Sequence, residues 1–243
     1  MTPTLEFSVI VPVFNEAGNV ARLVEEISSA LDGRAYEMIF IDDASTDETR
    51  LELTSLKDRF PTLRVLRHRA NAGQSRALRT GVMAARGRVI GTLDGDGQND
   101  PQDLPELFRQ LTRADAPSDL GLVMGFRAHR RDTIWKRIAS RAGNGVRRWI
   151  LKDDSFDSAC GIKVVYRDLF LAIPYFDHMH RYMPALAMAE GRSVETRPVN
   201  HRPRDAGRSK YTNIGRLFDG FGDLNGVAWL LRRRRQTGGV DEI

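Results

Sequence analysis

The segment VIGTLDGDGQNDP, residues Val89 to Pro101, runs from apolar residues into three aspartates. Its first part has the length and β-branched composition of a buried strand, and its second part has the glycines and aspartates of a loop. Carboxylates this close together repel one another unless a cation or hydrogen-bond donors compensate their charge. Asp94 and Asp96 can direct several hard oxygen atoms at one point, which is the ligand chemistry that Mg²⁺ and Mn²⁺ prefer. We therefore predict a divalent metal site where this strand ends.

Two other interpretations of this loop are available. An EF-hand calcium loop fits poorly, because a strand precedes the aspartates and Pro105 stands where that loop requires a bidentate glutamate. A plain polar turn is the other interpretation, with Asp100 capping a helix that begins at Pro101. We expect Asp100 to cap that helix and the two earlier aspartates to bind metal. Gln98 adds a neutral carbonyl oxygen within reach of the same ion.

Strand-like and helix-like segments alternate through the first 130 residues. Short apolar runs with β-rich composition predict strands, and the amphipathic stretches between them predict helices. This alternation is typical of βαβ units, so we predict an α/β fold with a mainly parallel sheet covered by helices on both faces. The predicted strands are Phe7–Phe14, Tyr36–Asp42, Leu63–His68, Arg88–Asp94, Leu120–Arg127 and Val194–Val199.

The helical pattern is clearest in five segments. They are Ala17–Leu31, Asp47–Phe60, about Thr133–Leu151, about Arg181–Glu190, and an amphipathic C-terminal segment from Asn213. Ser45 or Thr46 is the candidate N-cap of the second helix. We predict one α/β domain over residues 1–212, an amphipathic helical segment over 213–235 and a tail over 236–243.

Polar side chains follow three of the predicted strands. In an open α/β sheet, ligands bind beyond the carboxyl ends of the strands, so we expect these side chains to lie at one edge. They are Asn15 and Glu16, Asp42 and Asp43, and Asp94 and Asp96. The segment NAGQSRAL, Asn71 to Leu78, adds a glycine-bearing turn into a helix whose first amides could face a phosphate.

Composition limits the function classes further. The chain has 243 residues, a formal net charge of +5 and a pI of about 9.6, which favours an anionic partner. Its single cysteine, Cys160, excludes an intramolecular disulfide and suits a reducing cytoplasmic compartment. The sequence contains neither a secretory signal nor a run of about 20 apolar residues that would span a bilayer. Dinucleotide and P-loop fingerprints are absent, which disfavours a dehydrogenase or a P-loop enzyme.

Seven segments, in this order, resemble the motifs of family-2 glycosyltransferases with a GT-A fold. The resemblance covers about residues 7–212 and is greatest to dolichyl- and polyprenyl-phosphate hexosyltransferases. The segments are VIVPVFNE, IDDASTDET, NAGQSRALRTG, LDGDGQNDP, MGFR, DSACGIKVVYRD and RPRDAGRSKY.

The resemblance implies a role for residues in most of these motifs. Nucleoside contacts are implied for Pro12, Phe14, Glu16, Ile41 and Asp43. The resemblance also implies that Asp94, Asp96 and Gln98 form the metal and diphosphate site and that Arg127 contacts the donor diphosphate or sugar. The resemblance implies that Arg204, Ser209 and Lys210 contact the acceptor phosphate, together with the basic position at Lys136 and Arg137. Asp157 is implied to hold the sugar or to order the acceptor side. The candidate catalytic residues are Asp94, Asp96, Arg127, Asp157, Arg204 and Lys210.

We therefore expect inverting, metal-dependent transfer of a hexosyl group from a UDP- or GDP-linked sugar to undecaprenyl or dolichyl phosphate. A divalent cation and Arg127 would offset charge on the departing nucleotide. A phosphate acceptor is already anionic and needs no base, so Arg204 and Lys210 would position it. If the acceptor is instead a hydroxyl of a glycan or lipid headgroup, a general base is required and Asp157 is the candidate. Asp157 could equally cap or pair within its own loop.

The C-terminal segment WLLRRRR places Trp229 beside Arg232 to Arg235. This is typical of an interfacial helix on an anionic membrane, although cations also stabilise an exposed helix end. We expect a peripheral position on the cytoplasmic face, with a separate membrane-spanning protein supplying the spans that many members of the family carry. A nucleic-acid binder is the remote alternative; the basic clusters lack interleaved aromatic residues, so no nucleic-acid partner is expected.

Overall fold

A computed structural model of the chain describes residues 5–127, 150–151, 160–202 and 213–234, with side chains in the last segment described from Gly222 onward. Backbone contacts divide the chain into two compact units. One comprises Met1–Arg131 and Phe156–Arg208, and the other comprises Asp132–Ser155 and Ser209–Ile243. The first unit contains the β-sheet, and the second contains the C-terminal helix. The domain bounds expected from the sequence stay a prediction.

The strands of the first unit form one sheet with the order β3-β2-β1-β4-β6-β5-β7. Strand β6 runs antiparallel to β4 and β5, whereas the other pairs are parallel, so the mainly parallel sheet is confirmed. The strands are β1 (Phe7–Val13), β2 (Tyr36–Asp42), β3 (Leu63–Arg67), β4 (Val89–Thr92), β5 (Leu120–Arg127), β6 (Lys163–Tyr166) and β7 (Ser193–Val199).

The helices agree with the predicted segments at their centres more than at their ends. They are α1 (Val20–Ala30), α2 (Thr49–Leu56), α3 (Gln74–Ala84), α4 (Leu104–Thr112), α5 (Arg167–Ala172), α6 (Met183–Ala189) and α7 (Asn213–Arg233). A 3₁₀ turn over Pro101–Asp103 precedes α4, and another over Met179–Arg181 precedes α6. The helix expected at about Thr133–Leu151 lies outside the described residues except for its last two.

Helices cover both faces of the sheet, as expected. Apolar side chains of α1, α2 and α4 join the same core cluster as Val9 and Val11 of β1. On the opposite face α3 comes very close to the strands, because Gly81 has no side chain. A Cβ at Gly81 would lie 2.4 Å from Cγ2 of Ile10 and 2.7 Å from Cδ1 of Ile41.

One of the two predicted helix caps is wrong and the other is confirmed. Ser45 and Thr46 do not cap α2; instead Oδ1 of Asp47 accepts hydrogen bonds from the backbone N (3.1 Å) and Oγ1 (2.6 Å) of Thr49. Ser45 is used elsewhere, because its Oγ accepts from the backbone N of residue 15 in the turn after β1. Asp100 does cap the turn at Pro101, accepting from the backbone N of residue 102 at 3.0 Å.

In the second unit, α7 is amphipathic over its described side chains. Leu224 and Val227 are buried, whereas Trp229 is 60% exposed. The guanidinium of Arg233 lies 5.7 Å from the centroid of the Trp229 ring, a cation–π contact. Within the described part of the chain, none of the helices has both the length and the apolar character needed to cross a bilayer.

Candidate functional site

The three strands that end in polar residues are neighbours in the sheet. Strand β1 lies between β2 and β4 and is parallel to both, so their carboxyl ends meet at one edge, as predicted. The acidic loop after β4 packs directly against the end of β1. A Cβ at Gly95 would lie 2.9 Å from the carbonyl oxygen of Pro12 and 2.7 Å from Cγ1 of Val13. A glycine at this position therefore allows the loop to approach β1.

The turn after β1 is bonded to the loop after β2. Asn15 takes a left-handed conformation with φ of 53°, which this residue type tolerates. The backbone N of Asn15 donates to Oγ of Ser45 in that loop at 2.9 Å, and the backbone N of Glu16 donates to Oγ1 of Thr49, the first residue of α2, at 2.8 Å. Pro12, Phe14 and Glu16 are all partly exposed beside this turn. Their contact with a nucleoside stays a prediction.

The carboxylate of Asp43 holds the turn that leads into α3. Asp43 is 3% exposed, its Oδ2 accepts from the backbone N of Gly73 at 2.8 Å, and its Oδ1 accepts from the backbone N of Ala72 at 2.9 Å. Its Oδ1 also lies 2.6 Å from Nδ1 of His68. These two amides, which precede α3, thus bind a carboxylate of the protein. The phosphate contact of the first amides of α3 stays a prediction. Ile41 is fully buried, and nucleoside contacts for Ile41 and Asp43 stay predictions.

Asp94 is held from three sides. Its Oδ1 accepts from Nε2 of Gln74, the first residue of α3, at 2.8 Å. Its backbone N donates to Oδ1 of Asn99 at 3.1 Å. On the third side lies Gly161, where a Cβ would stand 2.2 Å from Oδ2 of Asp94. The carboxylate therefore lies between α3 and the segment that precedes β6.

The charge on Asp94 is only partly compensated by the protein. Burial and the negative charge of Asp96 raise the pKa of Asp94 to about 6, although Lys163, the amide of Gln74 and Arg127 act in the opposite direction. Arg127 is the last residue of β5, so the structure brings this predicted residue to the acidic loop. A cation between the two carboxylates would offset the charge of Asp96, which together with burial raises this pKa.

The residues present fit a divalent ion that is shared with a ligand. No group of three or more His, Cys, Asp or Glu residues that could hold an ion occurs among the described residues. Mg²⁺ is commonly bound through one or two carboxylates, with phosphate oxygens and water completing the shell. Asp94 and Asp96 supply such a pair, and Oδ1 of Asp96 also accepts from the backbone N of Gln98 at 3.1 Å. The ligand role of the Gln98 side chain stays a prediction.

The segment after β7 runs beside the acidic loop. The backbone N of Arg202 donates to the carbonyl oxygen of Gln98 at 2.9 Å, and His201 forms a β-bridge with Asn99. The Arg202 guanidinium also bonds Oδ1 of Asp100 and both carboxylate oxygens of Glu26, each at 2.8 Å. His201 and Arg202 therefore lie next to the acidic loop. The following predicted site residues lie outside the described residues: Lys136, Arg137, Asp157, Arg204, Ser209 and Lys210.

Sequence reasoning missed two polar residues that act on Asp94, Gln74 and Lys163, and the buried pair of Ser75 and His180 beside them. Lys163 is 3% exposed and donates from Nζ to the carbonyl oxygen of Cys160. Nδ1 of His180 lies 2.8 Å from Oγ of Ser75, and burial together with the charge of Lys163 lowers the pKa of His180 well below its ordinary value. Gln74 and Ser75 lie in the segment NAGQSRAL, whose glycine-bearing turn was noted in the sequence. Lys163 could have been found because a lysine within the apolar run IKVVY is unusual.

Comparisons with known proteins agree with this architecture. The family described as Glycosyl transferase family 2 matches residues 8–170, more than half of the chain. The chain is 33% identical over 241 residues to a dodecaprenyl-phosphate galacturonate synthase of Rhizobium johnstonii, covering 97% of this chain and 70% of the relative. It is 31% identical over 221 residues to an undecaprenyl-phosphate 4-deoxy-4-formamido-L-arabinose transferase of Enterobacter sp., covering 89% and 65%.

Two solved structures have the same GT-A fold. A mannosyltransferase of Pyrobaculum calidifontis in complex with GDP-Man and Mn²⁺ has a TM-score of 0.68 at 18% identity, covering 96% of this chain and 66% of that one. A glucosyl-3-phosphoglycerate synthase of Mycobacterium tuberculosis in complex with Mg²⁺ and UDP has a TM-score of 0.69 at 18% identity, covering 96% and 81%. At this identity the likeness concerns the fold.

Proposed function

Because the chain belongs to glycosyl transferase family 2, we propose that it transfers a hexosyl group from a nucleoside-diphosphate sugar to a polyprenyl phosphate. The observation that carries this proposal is the similarity to a dodecaprenyl-phosphate galacturonate synthase over 97% of the chain. The second curated relative is also named for an undecaprenyl-phosphate acceptor. Family membership also disfavours the nucleic-acid binder, because it accounts for the basic charge through phosphorylated substrates.

On the donor side, we assign the diphosphate to the edge formed by the ends of β1, β2 and β4. Asp94 and Asp96 would hold Mg²⁺ or Mn²⁺, which when bound offsets the charge that develops on the departing nucleotide. Arg127 adds a second positive charge close to Asp94. The fold neighbours solved with GDP-Man and Mn²⁺ or with UDP and Mg²⁺ support this assignment for either type of donor.

On the acceptor side, a phosphate oxygen attacks the anomeric carbon from the face opposite the leaving diphosphate, which inverts the configuration. The phosphate is anionic at neutral pH, so no residue has to remove a proton before the attack. Arg204 and Lys210 would orient it by charge-assisted hydrogen bonds. The bond from the backbone N of Arg202 to the carbonyl oxygen of Gln98 supports this role, because Arg202 precedes Arg204 by two residues in the chain.

The acceptor is a membrane lipid, so the enzyme must meet a membrane surface. We assign this contact to the end of α7, where the exposed Trp229 lies next to Arg232, Arg233 and Arg234. Each basic residue near an anionic leaflet contributes about 1 kcal/mol, and an indole ring favours the interface. The cytoplasmic face and a separate membrane-spanning partner stay predictions.

A transfer assay tests the proposal directly. The protein is incubated with Mn²⁺, undecaprenyl phosphate in detergent micelles and a panel of radiolabelled UDP- and GDP-hexoses, and label in the organic phase is counted. We expect one donor to label the lipid and mild acid to release the sugar, because a glycosyl phosphate is acid-labile. Undecaprenol is the matched control and should stay unlabelled. Equal labelling of undecaprenol would favour a hydroxyl acceptor, and no labelling from any donor would reject the proposed transfer.

A further inference from the structure

We propose that Gln74 is a positioning residue that orients the Asp94 carboxylate for binding a divalent cation, an inference that rests on the proposed function. Nε2 of Gln74 donates to Oδ1 of Asp94 at 2.8 Å. Gln74 belongs to α3 and Asp94 follows β4, so this bond joins two elements that are 20 residues apart in the chain. It is a direct contact between α3 and the acidic loop.

Gln74 can act this way because its own backbone is held on both sides. The preceding residue, Gly73, has φ of 84° and donates its backbone N to Oδ2 of Asp43 at 2.8 Å. The following residue, Ser75, is fully buried, and its Oγ lies 2.8 Å from Nδ1 of His180. The start of α3 is thus fixed between β2 and the turn before α6, and the amide of Gln74 is presented at one place.

The geometry at Asp94 leaves its carboxylate little freedom. Gln74 binds one oxygen, the backbone of Gly161 lies against the other, and Asn99 accepts from the backbone N. A neutral amide orients the carboxylate without adding a positive charge that would repel a metal ion. Partners of this kind set the orientation of metal ligands, and their loss costs about 10- to 100-fold in metal affinity or activity.

The test replaces Gln74 by methionine, which has a similar length and volume but no hydrogen-bond donor. The probe is Mn²⁺ alone, and free Mn²⁺ is followed by electron paramagnetic resonance during titration of the donor-free protein. We expect Gln74→Met to bind Mn²⁺ about tenfold more weakly. The metal-free variant should melt within about 3 °C of the wild type, because only one partly buried bond is lost. Saturating Mn²⁺ should restore much of the transfer rate.

Gln110 offers a matched control. Its Nε2 also donates to a carboxylate at 2.8 Å, but the acceptor is Glu106 on the outer side of α4. Gln110→Met should therefore leave Mn²⁺ affinity unchanged. If Gln74→Met melts lower than expected, Gln74→Asn provides the second comparison, because it keeps the amide but is one methylene too short to reach Asp94.

The outcomes separate this inference from the proposed function. Mn²⁺ affinities of Gln74→Met and Gln74→Asn equal to the wild type would overturn the positioning role and leave the transfer reaction intact. A wild-type protein that transfers sugar but binds no Mn²⁺ would overturn the positioning role together with the metal site. Weaker Mn²⁺ binding by both variants, with Gln110→Met unchanged, would establish the role.

Discussion

Replacing Gly161 by alanine should disable the acidic site through one added methyl group. The new Cβ would lie 2.2 Å from Oδ2 and 2.4 Å from Cγ of Asp94, and 2.7 Å from Oδ1 of Asn99. The φ of Gly161 lies outside the left-handed region, so alanine is compatible with the backbone and the effect is steric. Relief of the overlap requires a displacement of about 1 Å, and a misplacement of this size can cost about 100-fold in rate.

The displacement should fall mainly on Asp94. The segment around Gly161 is held by bonds from Oγ1 of Thr92 to the Gly161 carbonyl at 2.7 Å, from the backbone N of Gly125 to the Ile162 carbonyl at 3.0 Å and from Lys163 to the Cys160 carbonyl. Overpacking of this kind costs about 1–3 kcal/mol of folding free energy. We therefore expect Gly161→Ala to melt several degrees lower, to bind Mn²⁺ more weakly and to transfer sugar about 100-fold more slowly.

Mn²⁺ titration, thermal unfolding and the undecaprenyl-phosphate assay together measure these effects. Gly222 is the control, because it is exposed on α7 and its Cβ would meet no described atom within 4 Å beyond its own helix and neighbours. Gly222→Ala should keep full activity and gain up to about 1 kcal/mol from helix propensity. A Gly161→Ala protein with wild-type Mn²⁺ affinity and a rate within threefold of wild type would refute the assignment of Asp94 to the metal site.

Three further predictions address the metal, the core and the membrane surface. Asp96→Ala should abolish both turnover and the stabilisation of about 2.7 kcal/mol expected from a ligand at 100 times its dissociation constant; retained turnover would mean that another loop binds the metal. Burial opposes ionisation of Glu37, but bonds from Arg86, Arg64 and Ser8 outweigh it and hold the pKa of Glu37 below its ordinary value. Glu37→Gln should therefore cost about 2–4 kcal/mol at pH 7 in thermal unfolding. This difference should shrink as the pH falls below about 4.5; a gap that stays constant down to pH 3 would contradict it. Replacing Arg232 to Arg235 by alanine should reduce flotation with anionic liposomes, and equal recovery would exclude the surface role.

The edge at which the acidic loop lies could be predicted from the chain alone. The strands before Asn15, Asp43 and Asp94 have apolar, β-rich runs separated by helical segments, and parallel βαβ units place the ends of their strands at one edge. The sheet order, with β1 between β2 and β4, agrees with that expectation. The periodicity of apolar residues in a strand and the composition of the loop after it depend on residues that are neighbours in the chain, so both can be recognised from the sequence.

Strand β6 and the cap of α2 were not predicted correctly, because both depend on contacts between residues that are far apart in the sequence. Strand β6, Lys163–Tyr166, has only four residues, and an apolar run this short has no period that separates a strand from a helix. Its antiparallel position between β4 and β5 depends on pairing with strands that are far away in sequence. The cap of α2 was misassigned for a related reason, because Ser45 and Thr46 bond Asn15 in the turn after another strand.

The sequence by itself determined that Asp94 and Asp96 end a buried strand of an α/β sheet, because strand periodicity and clustered like charges act over a few residues. Only the tertiary structure decided what surrounds Asp94: Gln74 from α3, Gly161 before β6 and the positive charge of Lys163. These groups are separated from Asp94 by 20 residues or more, and each contributes through a single side chain or backbone atom. A pattern along the chain carries no record of such contacts, since they arise only when the elements pack.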